Sequence, residues 1–448
     1  MDDSSISSGR RGQAAAEGSH SLRGDARRAA PAAGDREDAG AAGGPLGIYA
    51  KTASALEVVD EQTGEITRFT LNPKTREYVQ ELDPKRHRAE RYALKSVVNR
   101  LLPTSRTSKC CRWRVPQQSL QVHRSIEHGK AFYAGLQVCA SVWACPVCAA
   151  KISERRRAEL VTAVALAKSM GLHVKLLTLT VPHGIGDDLP TLLGQIRSAW
   201  RRTSSTRAGD KLRKLLGIKG TIRALEVTHG QNGFHPHLHV LLFLEQDATN
   251  ACIQGMFTPL WQDACTKAGL PRPSDAHGCR VDDGSYAAQY ASKWGLESEL
   301  TKSHTKRGRN GSRTPWDFLR AFLGQSEGWQ QDAHLFRTYA EAFKGQRQLY
   351  WSNGLRALLA LGDEATDEEV AAVQEDNARM LAEITDEQWR AILRTKSEAI
   401  VLDMAEEHPE ALPVLLASIL ERAQRMRPTV PASLPRPQGE AHTLRSGV

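Results

Sequence analysis

No run of about 18 consecutive apolar residues occurs anywhere in the chain, so no segment reads as a membrane helix. The start, Met1 to Gly18, has no apolar core of the kind a secretory signal needs. A cytoplasmic protein with no membrane partner is therefore expected. Aromatics are scarce at 6%, and neither a Gly-X-Y repeat nor sustained heptads occur, which excludes collagen-like and coiled-coil classes. Cysteine is missing from both ends: all eight lie between Cys110 and Cys279. What remains is 448 residues with 40% hydrophobic content, enough for two to four units with real cores.

Charge is uneven. The net is +9, yet about sixteen acids and six Lys/Arg fall between Asp363 and Arg425, which leaves the chain before them near +17. A basic body with an acidic C-terminal lobe points to a polyanionic partner, in the first place nucleic acid. Residues 1–45 are polar and read as a disordered tail, residues 46–104 as a region without a readable role except for a helix over Arg88 to Leu101, and residues 427–448 as a Pro-rich tail. Between them the text divides into a zinc-binding module (105–155), an α+β domain (156–350) and an acidic helical region (351–426). Thr366-Asp367-Glu368-Glu369 and Thr385-Asp386-Glu387-Gln388 are capping-box text and mark two helix starts in that last region.

Five cysteines, Cys110, Cys111, Cys139, Cys145 and Cys148, crowd one short stretch. Without an export signal this spacing favours metal over disulfides. Cys145-Pro146-Val147-Cys148 is a CxxC knuckle, and Cys139 with Cys110 or Cys111 would complete a four-cysteine site for structural Zn2+, His123 or His128 being substitutes. The competing reading is buried free thiols. The helix that follows carries Arg155, Arg156 and Arg157, and Lys302 to Arg313 is a second basic run. Arg155, Arg156, Lys306, Arg307 and Arg309 are the expected phosphate contacts, although charge runs are more often solvated surface.

His173 to Val181, Thr221 to Thr228 and His237 to Leu244 read as strands, the last two flanking His229-Gly230-Gln231-Asn232-Gly233, a hairpin turn. Helices are expected over Leu189 to Leu216, Thr249 to Ala268 and Ser285 to Leu296. Residues two apart on a strand share a face, so His237 and His239 point the same way. An Asn232-Gly233 turn pairs residues whose numbers sum to 465 and sets Glu226 opposite His239; a wider turn gives 463 and sets Glu226 opposite His237. Either register yields two histidines and one carboxylate on one face, a site for Mg2+ or Mn2+ with open positions that can grip a phosphate oxygen. His235 has the same parity, but Pro236 bends the strand start there.

Leu177-Thr178-Leu179-Thr180-Val181-Pro182, then Leu225-Glu226-Val227-Thr228 with Phe234-His235-Pro236-His237-Leu238-His239-Val240, then Tyr286 to Lys293 resemble, in that order, the three motifs of HUH endonucleases, and more narrowly those of plasmid rolling-circle replication initiators. Stretches around Val142 to Cys148 and Trp351 to Arg356 are similar to those bordering that family's domain. The resemblance covers Cys110 to Arg356. It implies an antiparallel-sheet nuclease domain with helices packed on it, and a tyrosine that takes the 5′-phosphate of nicked origin DNA, single-stranded or cruciform, leaving a 3′-OH for the host polymerase behind a host helicase. Tyr286, Tyr290 and Lys293 stand at i, i+4 and i+7 on one helical face. The resemblance assigns the nucleophile to Tyr290 and makes Lys293 the cation beside it. Many such initiators carry Glu where this chain has Tyr286, so termination is expected to use a second tyrosyl transfer or a carboxylate from Asp282 or Asp283. A two-tyrosine HUH transposase and a non-catalytic zinc-dependent DNA-binding regulator are the alternative readings; a relaxase is disfavoured, because there the tyrosine precedes the histidines.

Overall fold

The structure is a computed structural model that describes residues 55–59, 66–71, 78–81, 84–284, 312–372 and 377–426. Tyr286, Tyr290 and Lys293, the basic residues Lys306, Arg307 and Arg309, and both tails lie outside the described residues.

Strands β1 (Ala55–Val59), β2 (Ile66–Leu71) and β3 (Tyr78–Glu81) pair antiparallel in that order. Helix α1 (Pro84–Leu101) covers the expected helix and buries Leu94, Val97, Val98 and Leu101. The short α2 (Arg106–Lys109) delivers the chain to Cys110. After β4 (Leu120–Ser125) and β5 (Ala131–Ala134) comes α3 (Pro146–Ser169), whose first turn opens on Pro146 within the CxxC knuckle.

The strand β6 (His173–Leu179) precedes α4 (Leu189–Ser205) and α5 (Arg207–Leu215), where one helix was expected. Thr206 ends α4 and caps α5, its hydroxyl accepting from the Gly209 amide. A Cβ on Gly209 would sit 2.1 Å from the Thr203 carbonyl oxygen, so the break requires glycine. Next come β7 (Ile218–Gly230), β8 (Gly233–Leu244), α6 (Asn250–Lys267) and β9 (Cys279–Asp283). The chain resumes with α7 (Pro315–Gly324), α8 (Trp329–Ala342), β10 (Leu349–Trp351), α9 (Leu355–Leu358) and α10 (Asp367–Ala372). It closes with β11 (Ala378–Ile384), α11 (Asp386–Thr395), α12 (Glu398–Glu407) and α13 (Leu412–Arg425).

The central sheet has the order β10-β7-β8-β6-β9 and is antiparallel at every pairing. Both of its faces are covered, which is why Val240 to Leu244 is an unbroken apolar run with 0% exposure. Leu177, Leu179, Leu238, Val240, Leu242 and Val281 pack on α4 and α6. Leu176, Ile222, Ala224, Leu241 and Phe243 pack on Leu160, Ala163, Val164 and Ala167 of α3. The row that faces α3 continues along β8 from Phe243 and Leu241 to His239 and His237, so strand alternation alone delivers the histidines to that face.

Mixed α+β architecture with antiparallel sheets is thus as expected. The segments 105–155 and 351–426, however, are not separate bodies. β11 pairs with β4 in a third sheet, β11-β4-β5, and Leu120, Val122 and Ala131 share a core with Ile384, Trp389, Ile392, Leu402 and Leu416. The short β11 carries no clean alternation and pairs with residues some 250 positions earlier, so nothing local announced it.

Candidate functional site

The hairpin β7–β8 builds the first cluster. Gly230 pairs with Gly233, so the loop is Gln231-Asn232, one residue earlier than Asn232-Gly233. Gly233 takes φ +84°, the left-handed conformation that glycine adopts without a Cβ penalty at the end of the turn. The pairs sum to 463, and Glu226 lies opposite His237 with Ala224 opposite His239. One carboxylate oxygen, Glu226 Oε2, stands 3.0 Å from His237 Nε2 and 3.2 Å from His239 Nε2.

Each imidazole is aimed from behind. His237 Nδ1 donates to the His235 carbonyl at 3.2 Å, and His239 Nδ1 lies 3.0 Å from Thr178 Oγ1, its cross-strand neighbour on β6. Such contacts turn both Nε2 atoms toward Glu226. Burial opposes charge on Glu226, but the charges of His239 and His237 and their hydrogen bonds prevail and hold its carboxyl well below the usual range. For His237, burial favours the neutral ring, yet the Glu226 hydrogen bond and charge raise it. His235 behaves oppositely: burial, then the His237 and His183 charges, push it down to about 3, so it is neutral at physiological pH. His183, the residue directly after the Leu177–Pro182 motif and not singled out from the sequence, sets its Nδ1 3.1 Å from His235 Nδ1. Thr178 was also missed as a partner; its parity with His239 across β6 and β8 was the available signal.

The ligand atoms of Glu226, His237 and His239 all lie within 4.8 Å of one another. Two imidazole nitrogens, deprotonated when they ligate a metal, and one carboxylate, with part of the coordination sphere left open, suit a divalent ion that must also accept a substrate oxygen.

The second cluster is Cys110, Cys139, Cys145 and Cys148, all buried. Their sulfurs stand 3.4 Å (Cys110–Cys148), 3.7 Å (Cys139–Cys148) and 3.7 Å (Cys145–Cys110) apart. Zn–S bonds of about 2.3 Å at tetrahedral angles put sulfurs about 3.8 Å apart, so the spacing fits a site of four thiolates around one ion. Of the two adjacent candidates, Cys110 is the one brought in. Cys111 turns at φ +52° and is only partly buried, its sulfur 3.6 Å from that of Cys110. His123 stacks on Phe132 and His128 lies beside Glu127, so neither serves as substitute ligand. Lys95, 3% exposed, and Lys151 both exert positive charge on Cys111, the sign a tetrathiolate centre calls for. Trp143 Nε1 donates to the Gln346 carbonyl and Tyr339 Oη to the Trp143 carbonyl, which pins the approach to Cys145. Cys265 and Cys279 are buried apart from the cluster, and Cys252 is exposed.

The expected phosphate contacts divide. Arg155 is exposed, with a 3.7 Å pairing to Glu159. Arg156 is not a DNA contact: its side chain is 9% exposed and is held by Glu159, Glu364, Asp367 and the Ala365 carbonyl. Three consecutive arginines on a helix necessarily point in different directions, and the middle one faces α10.

Comparison with known proteins identifies the family of the chain. The Rep_1 family model, described as Replication protein, matches residues 131–398, more than half of the chain, and the chain belongs to that family. It is 27% identical over 339 residues to "Protein rep" of Streptomyces lividans, across 59% of this chain and 74% of the relative. It is 31% identical over 176 residues to "Neomycin resistance protein" of Streptomyces cyanogenus, across 32% of this chain and 40% of that relative. No solved structure matches. Among the described residues, no helix is long and apolar enough to cross a membrane.

Proposed function

We propose that this replication protein is the cytoplasmic initiator of rolling-circle plasmid replication, nicking and rejoining single-stranded or cruciform origin DNA through a 5′-phosphotyrosine on Tyr290. The observation that carries the reading is the convergence of Glu226, His237 and His239 on one face of the β7–β8 hairpin, in a chain of the Replication protein family. A divalent ion held there, Mg2+ or Mn2+, would supply positive charge to a non-bridging oxygen of the scissile phosphate. The Tyr290 phenol oxygen then bonds to phosphorus as the P–O3′ bond breaks. The phenolic proton passes to solvent, and O3′ gains a proton to become the hydroxyl that primes a host polymerase behind a host helicase. Lys293 steadies the phenolate and the phosphate charge, and Tyr286 takes the second transfer that terminates the round. Arg155, Lys306, Arg307 and Arg309 neutralise flanking phosphates, and Zn2+ at Cys110, Cys139, Cys145 and Cys148 is structural.

The test is incubation of the purified protein with a single-stranded oligonucleotide spanning the native origin. A metal-dependent nick is expected, with protein covalently attached to the 3′ fragment and a free 3′-OH on the other. Binding without cleavage would identify a zinc-dependent regulator instead, and cleavage confined to insertion-element ends a two-tyrosine transposase.

A further inference from the structure

The face of the central sheet turned away from Glu226, His237 and His239 carries a group of arginines short of counter-charge. Arg223 of β7 pairs with Tyr350 of β10 at the sheet edge, and alternation turns it to the face opposite Glu226. Its guanidinium lies 5.1 Å from the Tyr350 ring centroid, and that of Arg347 lies 4.6 Å from the same ring. Helix α4 packs on this face and adds Arg197, whose charge reaches Arg223, with Arg201 one turn further on. Burial most strongly disfavours the protonated form of Arg223; Tyr350 opposes it, and the charges of Arg197 and then Arg347 act in the same direction as burial. Among the described residues, no carboxylate lies within ion-pair distance of Arg197, Arg201 or Arg223; Arg347 alone has one, Glu364 at 2.9 Å.

Gathering like charges around a half-buried arginine costs stability unless an external anion repays it. Guanidiniums stacked on an aromatic ring keep their N–H edges free for phosphate oxygens. We infer that Arg197, Arg201, Arg223 and Arg347, organised around Tyr350, bind the phosphate backbone of duplex DNA next to the nick. Duplex rather than single strand follows from two observations. The Tyr350 ring is occupied by guanidiniums and is not offered for base stacking, the usual means of holding a single strand. The arginines spread over helix α4, strand β7 and the segment just before the edge strand β10, and Arg223 lies three residues from Glu226, about 10 Å along β7 and through the sheet. That separation suits a stem whose unpaired end reaches the metal face. The inference rests on the DNA-nicking reading but concerns a different surface.

The experiment measures binding of the full-length protein to a fluorescent duplex and to a single strand of the same sequence, by anisotropy, across a range of salt concentrations. Three variants are compared with wild type: Arg223→Gln/Arg347→Gln, the exposed pair Arg197→Gln/Arg201→Gln, whose truncation leaves the core untouched, and Arg422→Gln on α13 as a control. Each lost phosphate contact lowers the slope of log K against log salt by about 0.9, so each double variant should lose roughly 1 to 2 units on duplex and bind it at least tenfold more weakly. Single-strand binding and nicking should change little, and Arg422→Gln should match wild type. An unchanged duplex slope in Arg197→Gln/Arg201→Gln, or an equal loss on single strand, overturns the inference while leaving the nicking reading intact. A wild type that binds neither DNA overturns both.

Discussion

At the scale of single residues, the chemistry depends on side chains that are aimed rather than merely present. His237 and His239 turn their Nε2 atoms toward Glu226, and neither contributes a large apolar surface to the core, so His237→Ala or His239→Ala should abolish nicking with little change in thermal stability. Chelation should have the same effect, reversed by Mn2+ or Mg2+; full cleavage in excess chelator would end the claim. Thr178→Val keeps the strand but removes the group behind His239, and should weaken metal affinity by about 10–100-fold, read by titrating activity with Mn2+. The cysteines make a sharper discrimination. Cys148→Ser should lose the tightly held zinc, whereas Cys111→Ser should keep it, as elemental analysis of protein prepared without chelator will show. Zinc retained in Cys148→Ser and lost in Cys111→Ser would exchange the two roles. For the tyrosines, the proposed assignment rests on sequence spacing, Lys293 following Tyr290 by three residues and Tyr286 by seven. Tyr290→Phe should eliminate the covalent DNA adduct, while Tyr286→Phe should nick once but fail in the later transfer. Mapping the phosphotyrosyl peptide decides, and an adduct on Tyr286 alone reverses the assignment.

At the scale of elements, caps and alternation were the legible features. The Thr385 capping box is present with both reciprocal bonds, Thr385 amide to Gln388 Oε1 at 2.9 Å and Gln388 amide to Thr385 Oγ1 at 3.2 Å. Thr385→Ala should therefore cost about 1 kcal/mol, seen as a lower midpoint in urea; an unchanged midpoint would show that tertiary packing of Trp389 alone holds α11. The same local logic found β6, β7, β8 and α6, and parity placed Glu226 with the two histidines before the register was known. It failed where the deciding partner was distant. β9 and β10 are short strands at the edges of the central sheet, β11 pairs with β4 across the chain, and Arg156 looked like its neighbours until α10 was seen against it. The choice between Cys110 and Cys111 likewise turned on a backbone dihedral, which adjacency in sequence does not encode.

At the scale of the whole molecule, the cysteine-bearing segment and the acidic C-terminal lobe are held together by charge as well as by a shared core. Glu406 of α12 accepts from Arg88 of α1 and from the Ala131 amide of β5 at 2.8 Å, with Lys130 at 3.6 Å, and Asp403 also takes Arg88. Burial opposes the charge of Glu406, but the Arg88 and Ala131 hydrogen bonds and the Arg88 and Lys130 charges outweigh it and lower its pKa. The sign follows directly. A carboxyl whose folded pKa is below its unfolded value, about 4.3 for Glu, stabilises fully above that value and loses its contribution as pH falls through the folded pKa. Glu398 and Asp367 shift upward through burial and act in the opposite direction, so the wild-type profile alone mixes both signs. Comparison with Glu406→Gln isolates the one group, because the other two remain in both proteins. The variant should have a lower Tm at pH 7, and the gap should narrow as pH drops below about 4. A gap that stays constant from pH 7 to pH 3 would show that Glu406 ties α1, β5 and α12 together through its hydrogen-bond geometry and not through its charge.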